Sequence, residues 1–248
     1  MGYFTFNGFD SRSFGIEIEE APKVNKSAQR AEAFSVPGRN GNIVISQDAW
    51  DDVQITYHCW AETAAYPSYT SMIAERFRSN GYAELYDGYT RQTRLAYIAN
   101  PIEFEVVQES FVRFDITFTC RPQIYTFDAF REIEIPVGET YYLSNTSGHD
   151  SYPLFHFTGS GTLTITYEGE FVDGHYRTQT LTVFGDDEVY YDCEIGAAYV
   201  ISGSRKVKSP RVQVSGTDLP ILRYHSRIRL EWSGEATTAF YQTRYWQL

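Results

Sequence analysis

Val112-Arg113-Phe114-Asp115-Ile116-Thr117-Phe118-Thr119 decides how this chain of 248 residues folds. Apolar and polar side chains alternate one for one through the stretch, so an extended backbone sends every apolar group to one face and every polar group to the other. The same rhythm returns at Thr162–Tyr167, where Leu163, Ile165 and Tyr167 alternate with threonines, and at Ile228–Ser233, where Ile228, Leu230 and Trp232 alternate with Arg229, Glu231 and Ser233. Each reads as a half-buried antiparallel strand, which makes the chain mainly β. One segment departs from period two. After Tyr66-Pro67-Ser68, the residues Tyr69, Ile73 and Phe77 recur every four, and the spacing predicts a helix over 70–79 that Asn80-Gly81 would stop.

Composition supports an ordered β protein. Aromatic residues make up 17% of the chain, with 20 Tyr and 17 Phe, side chains that favour strands over helices. The net charge of −11 divides almost evenly, −6 over residues 1–130 and −5 over 131–248, leaving no basic half to neutralise phosphates. Nucleic acid and anionic membrane are therefore not expected as partners. Cys59, Cys120 and Cys193 are odd in number and far apart, and read as reduced core residues rather than a disulfide framework. No signal peptide and no apolar run of bilayer-spanning length is found, so synthesis in a cytoplasm is expected. The best break in the chain lies over 121–130, which divides it into residues 1–130 and 131–248.

A search for catalytic or cofactor chemistry comes out negative. Gly159-Ser160-Gly161 lacks the residue on either side of the serine that a nucleophile elbow needs, and reads as a turn before the Leu163 strand. His58, His149, His156, His175 and His225 show no metal-ligand spacing, and Asp186-Asp187-Glu188 lacks the spaced oxygens of a calcium loop. Neither an enzyme nor a cofactor or metal site is expected. Arg205-Lys206-Val207-Lys208 reads as a solubilising loop. Tyr190, Tyr191, Tyr199, Tyr224, Tyr241, Tyr245 and Trp246 could stack on sugars if they were exposed. The cluster Arg223, Tyr224, His225 and Arg227 alternates along a strand, however, which would send the ring and the polar groups to opposite faces.

The remaining local signal is Val36-Pro37-Gly38-Arg39-Asn40-Gly41, just before the apolar run Ile43-Val44-Ile45. Pro37 fixes φ, Gly38 and Gly41 admit positive φ, and Asn40-Gly41 is a pair suited to a tight reversal, so the segment predicts a preshaped β-hairpin. Arg39 at its tip could fork onto a carboxylate of a neighbouring molecule.

Several motifs occur in order: Phe6-Asn7-Gly8 with Phe14-Gly15-Ile16, the Val36–Gly41 turn, and the strand Phe114–Cys120 closing on Arg121-Pro122-Gln123. Together they resemble the distal tail protein (Dit) family of long-tailed, non-contractile bacteriophages. In the second half Val189-Tyr190-Tyr191-Asp192 resembles the family's strand with an Asp before a turn. Leu219-Pro220-Ile221-Leu222 and Leu230-Glu231-Trp232-Ser233-Gly234 resemble its closing pair of strands. Where many relatives carry a Pro-Gly-x-Asn turn before the last Trp strand, this chain has Arg223–Arg227.

The resemblance implies an N-terminal β-barrel or sandwich with one helix and a projecting hairpin, followed by a galectin-like or carbohydrate-module-like β-sandwich. It implies a homo-hexameric ring closed through the first half, with Val36, Pro37, Gly38, Arg39, Asn40 and Gly41 as an inter-subunit arm. Such a ring would be a virion component at the tail tip, joining the major tail tube protein to the tail-associated fibre or lysin protein. The tape-measure protein and receptor-binding proteins are further expected partners. The competing expectation is a carbohydrate-binding module or adhesin that applies the second sandwich to a host glycan. Oligomeric state and sugar affinity separate the two.

Overall fold

A computed structural model describes residues 2–62, 68–108, 110–168, 178–185, 188–203, 205–215, 221–223, 227–234 and 238–247. The chain divides into two compact units between Ile124 and Tyr125. In the first unit the strands are β1 (Phe4–Phe6), β2 (Phe9–Asp10), β3 (Ile16–Ile18), β4 (Gln29–Ser35), β5 (Asn42–Trp50), β6 (Val53–Glu62), β7 (Ala83–Asp87), β8 (Gln92–Tyr97), β9 (Phe104–Gln108) and β10 (Phe111–Cys120). A helix, α1 (Ser68–Arg76), interrupts them, and β11 (Ile124–Tyr125) carries the chain onward. The second unit holds β12 (Ile133–Ile135), β13 (Thr140–Ser144), β14 (Leu154–Thr158), β15 (Gly161–Glu168), β16 (Thr178–Val183), β17 (Glu188–Asp192), β18 (Ala197–Ser202), β19 (Arg205–Lys208), β20 (Val212–Val214), β21 (Arg227–Gly234), β22 (Thr238–Gln242) and β23 (Trp246–Gln247).

The stretch that alternates over 112–119 is the spine of the first unit. β10 pairs antiparallel with β6 from Phe111↔Glu62 to Cys120↔Val53, within a sheet ordered β2-β1-β7-β8-β10-β6-β3. Val112, Phe114, Ile116, Phe118 and Cys120 point inward opposite Val53, Ile55, Tyr57, Cys59 and Ala61. Phe4, Phe6, Tyr57, Phe77 and Phe118 form the aromatic centre, with the Phe4 ring 4.7 Å from Tyr57 and the Phe6 ring 4.9 Å from Phe118. Helix α1 contributes Ile73 to this core and leads into Phe77. It begins two residues before the expected start and ends three before the expected stop. The chain tightens after Arg76, where the Arg78 N–H bonds the Glu75 carbonyl three residues back at 3.2 Å, so Phe77 can turn into the core. Cys59, Cys120 and Cys193 are free thiols and buried.

The second unit is a sandwich of two antiparallel sheets, β12-β22-β14-β17-β18-β19 and β13-β21-β15-β16-β20. Leu163, Ile165 and Tyr167 on β15 and Ile228, Leu230 and Trp232 on β21 meet Phe155, Phe157, Leu181 and Tyr241 in one core. Gly161 opens β15 where any side chain would collide with the Trp232 ring, 2.5 Å from an added Cβ. Its absence of a side chain lets the indole close that end of the core.

The fold class is thus the expected mainly β class, with differences in detail. Arg205–Lys208 is an edge strand, β19, not a loop: among the described residues it pairs with β18 alone and is exposed throughout, and Lys and Arg side chains are the kind that blunt an open edge. Of the expected closing pair, Leu222 makes an isolated bridge to Ser151, and β21 pairs with β13 and β15. Tyr66, Pro67, His175, Asp186, Asp187, Leu219, Pro220, Tyr224, His225 and Ser226 lie outside the described residues.

Candidate functional site

β4 and β5 form a two-stranded sheet of their own, joined by the turn Val36–Gly41. Reversal happens at Pro37-Gly38: the Arg39 N–H bonds the Val36 carbonyl at 3.2 Å and Gly38 has φ +82°, as a type II turn requires. Gly41 has φ +80° and delivers the chain into β5. Pairing runs Ser35↔Asn42, Phe34↔Ile43, Ala33↔Val44, Glu32↔Ile45 and Ala31↔Ser46 before an irregularity shifts the register to Gln29↔Trp50. The base is tied by polar groups. Arg30 Nε lies 2.6 Å from Asp51 Oδ1, Asp51 N–H bonds the Ala28 carbonyl at 3.0 Å, and the Tyr82 hydroxyl donates to Asp52 Oδ2 at 2.9 Å. Burial first, and the Asp52 hydrogen bond second, push the Tyr82 phenol up to about 12, so this tie stays protonated at any physiological pH.

What distinguishes the hairpin is what it leaves uncovered. Every residue of β4 is exposed, and Phe34, Ile43, Val44 and Ile45 are 46%, 37%, 65% and 54% accessible. Cross-strand register puts Phe34, Ile43 and Ile45 on one face and Ala33 and Val44 on the other. A two-stranded ribbon with apolar groups on both faces gains little in isolation. Covering it against another surface would recover about 1 kcal/mol for each of these half-exposed side chains, given 1.5–3 kcal/mol for complete burial. The Arg39 side chain at the tip has no carboxylate partner among the described residues.

In the second unit the aromatic residues singled out from sequence separate into core and surface. Tyr191 and Tyr241 are buried in the sandwich, whereas Tyr190 and Tyr199 point to the outer face of the six-stranded sheet, where Tyr199 is nevertheless only 5% exposed. Register lines up Phe240, His156, Tyr190 and Tyr199 across four adjacent strands. Their rings stack on one another: His156 on Tyr190 at 4.3 Å and 13°, Tyr190 on Tyr199 at 5.4 Å and 10°, with Lys206 Nζ closing the end 4.5 Å from Tyr199. The ring faces that a sugar would need are consumed inside the row. His156 is held between two carboxylates, Nδ1 3.1 Å from Glu132 and Nε2 2.8 Å from Glu188, the second contact off the line of a good hydrogen bond. Nothing in the sequence around His156 announces this arrangement, since it depends on which strands become neighbours.

Asp192, at the end of β17, accepts the Glu194 N–H at 3.0 Å and holds Arg244 through two bonds of 2.8 and 3.2 Å. Arg244 reaches it from a positive φ of 50°, so the pair pins the C-terminal segment to the sandwich. The other residues weighed for chemistry remain scattered. His58 is exposed and contacts Asp115 at 2.8 Å, and His149 is stacked on Trp246 at 4.2 Å. Among the described residues no three His, Cys, Asp or Glu side chains stand together as a metal site would need. Nor is any helix among them long and apolar enough to cross a membrane.

The chain is similar to the Dit protein of phage SPP1, described as a paradigm of the hub adsorption apparatus in phages infecting Gram-positive bacteria, with a TM-score of 0.57 and 11% identity over 98% of each chain. It is also similar to a chain of the phage p2 baseplate in its activated conformation with Sr, with a TM-score of 0.59 and 8% identity over 97% of each chain. No family model and no curated protein sequence matches it.

Proposed function

We propose that six copies of this chain close into a ring at the distal end of a long non-contractile phage tail, through residues 1–130 and with the Val36–Gly41 hairpin as the arm between neighbours. Residues 131–248 are the outward platform. The ring joins the tail tube protein to the fibre or lysin protein, and tape-measure and receptor-binding proteins are its further contacts. The observation that carries this reading is the end-to-end likeness to SPP1 Dit, which spans both units and not the sandwich alone. The exposed apolar hairpin supports it, because head-to-tail contacts in a ring need an element that one copy presents and the next one covers. The adhesin reading loses its strongest platform to the self-stacked row of the outer sheet. Mass measurement of the full-length chain in solution tests the proposal. A six-fold assembly is expected, and a monomer at every concentration, with and without tail tube protein, would refute it.

A further inference from the structure

β9 is the counterpart the hairpin lacks. It pairs with β10 alone among the described residues, leaving its outer edge open. It joins β10 at the Phe111–Phe114 end, whereas the hairpin leaves the same β6–β10 ladder at the Val53/Cys120 end. One copy therefore presents its arm from one end of the spine and the open edge at the other, as a head-to-tail contact requires. Beside this edge Val107 and Phe111 join Trp60 on a shallow cleft of about 570 Å³, and Val107 is 47% exposed. The neighbouring cleft of about 520 Å³ is rimmed by acidic groups, among them Glu103 and Glu105. Arg113, which faces Glu105 across the strands, is already engaged with Glu19 at 3.0 Å, and neither Glu103 nor Glu105 has a cationic partner among the described residues.

We infer that the open β9 edge with its Trp60–Val107–Phe111 cleft is the seat of the hairpin of a second copy of this chain, and that Glu103 and Glu105 receive its Arg39. The inference rests on the ring reading above and deepens it. Complementarity carries it in two independent ways. An arm apolar on both faces meets a cleft where Trp60, Val107, Phe111 and Val112 lie beside the Glu19–Arg113 ion pair on an open strand edge, and a tip cation without a carboxylate meets two carboxylates without a cation. A charge pair closed inside such a contact sits at lower dielectric than on the free surface, so it selects the docking register as well as adding affinity.

Sedimentation of the full-length chain over a concentration series tests this with three variants: Arg39→Glu, the pair Glu103→Lys with Glu105→Lys, and all three changes together. Each of the first two should raise the concentration for half-assembly about tenfold or more, and the triple variant should return to within about threefold of the original. All three should unfold thermally like the parent, since the residues changed are exposed. If Arg39→Glu weakens assembly while the glutamate pair does not, or if the triple variant shows no recovery, the seat is elsewhere and the ring reading stands. If the parent does not associate, the ring reading fails and this inference fails with it; if reshaping the turn through Gly38 and Gly41 leaves association intact, the hairpin is not the arm and this inference fails alone.

Discussion

Replacing Gly38 and Gly41 together by valine isolates the shape of the arm from the stability of the fold. Both glycines sit at positive φ, +82° and +80°, where a β-branched residue is strained, while an added Cβ at either position meets no atom within 4 Å. The cost is therefore backbone strain without a clash, on the order of 1–2 kcal/mol per site or more. No residue of β4 is buried and the turn contributes nothing to either core, so the strained tip can relax locally without disturbing the sheet around Phe118. To dock, the arm must regain its native turn, and the two penalties together then weaken each contact by about 2–4 kcal/mol, a factor of roughly 30 to 1,000 in association. Sedimentation against concentration reads the assembly, and thermal unfolding of the same sample reads the fold. Assembly at the parent's affinity would show that the turn is an ordinary surface reversal. A fall in unfolding temperature that parallels the loss of assembly would show that the hairpin belongs to the fold.

Three further outcomes follow from the sandwich and the buried thiols. Asp192→Ala leaves the Arg244 guanidinium, only 14% exposed, with nothing but the longer 3.6 Å contact to Glu194 and should lower stability by about 1–3 kcal/mol in urea unfolding; a change under about 0.5 kcal/mol would mean that the pair is incidental. Burial pushes the Cys59 and Cys120 thiols from 9.0 up to about 12, and Cys193 upward as well, so above pH 9 the unfolded chain releases protons that the folded chain keeps. Stability present below that pH is then lost as pH rises. Between pH 9 and 10 the loss should be about 1 kcal/mol per thiol, on top of the buried tyrosines whose unfolded phenols begin to titrate in the same range. Cys59→Ala should flatten that slope, and an unchanged slope would refute the assignment. Simple sugars should show no saturable binding by calorimetry, since the faces of His156, Tyr190 and Tyr199 are stacked on each other; micromolar binding abolished by Tyr190→Ala would revive the adhesin reading.

The period-two stretches were legible because one face of each strand is buried, and the alternation at 112–119 specifies that face without reference to any partner strand. Pairing was not legible in the same way. Nothing local to Phe104–Gln108 says that it joins the Phe111 end of β10 while Gln92–Tyr97 joins the Cys120 end. Arg205–Lys208 failed for a related reason: three charges in four residues read as solvated loop, yet β18 supplies the hydrogen bonds that make it a strand. The row through His156 is a property of register across four strands and has no signature in any one of them.

The hairpin separates the two kinds of information most sharply. Its turn chemistry is local, and Pro37-Gly38 forms the reversal that those residues dictate. Its surface is the opposite case. Ile43, Val44 and Ile45 in succession read like a strand covered on both faces, and in the monomer neither face is covered. A run of that kind, bare among the described residues, is what the ring reading proposed above would cover with a neighbouring copy. The polar ties of Arg30, Asp51, Asp52 and Tyr82 hold the base of the ribbon, Gln29–Ser46 and Gln47–Glu32 continue them across the strands, and Phe34, Ile43, Val44 and Ile45 beyond them stay exposed.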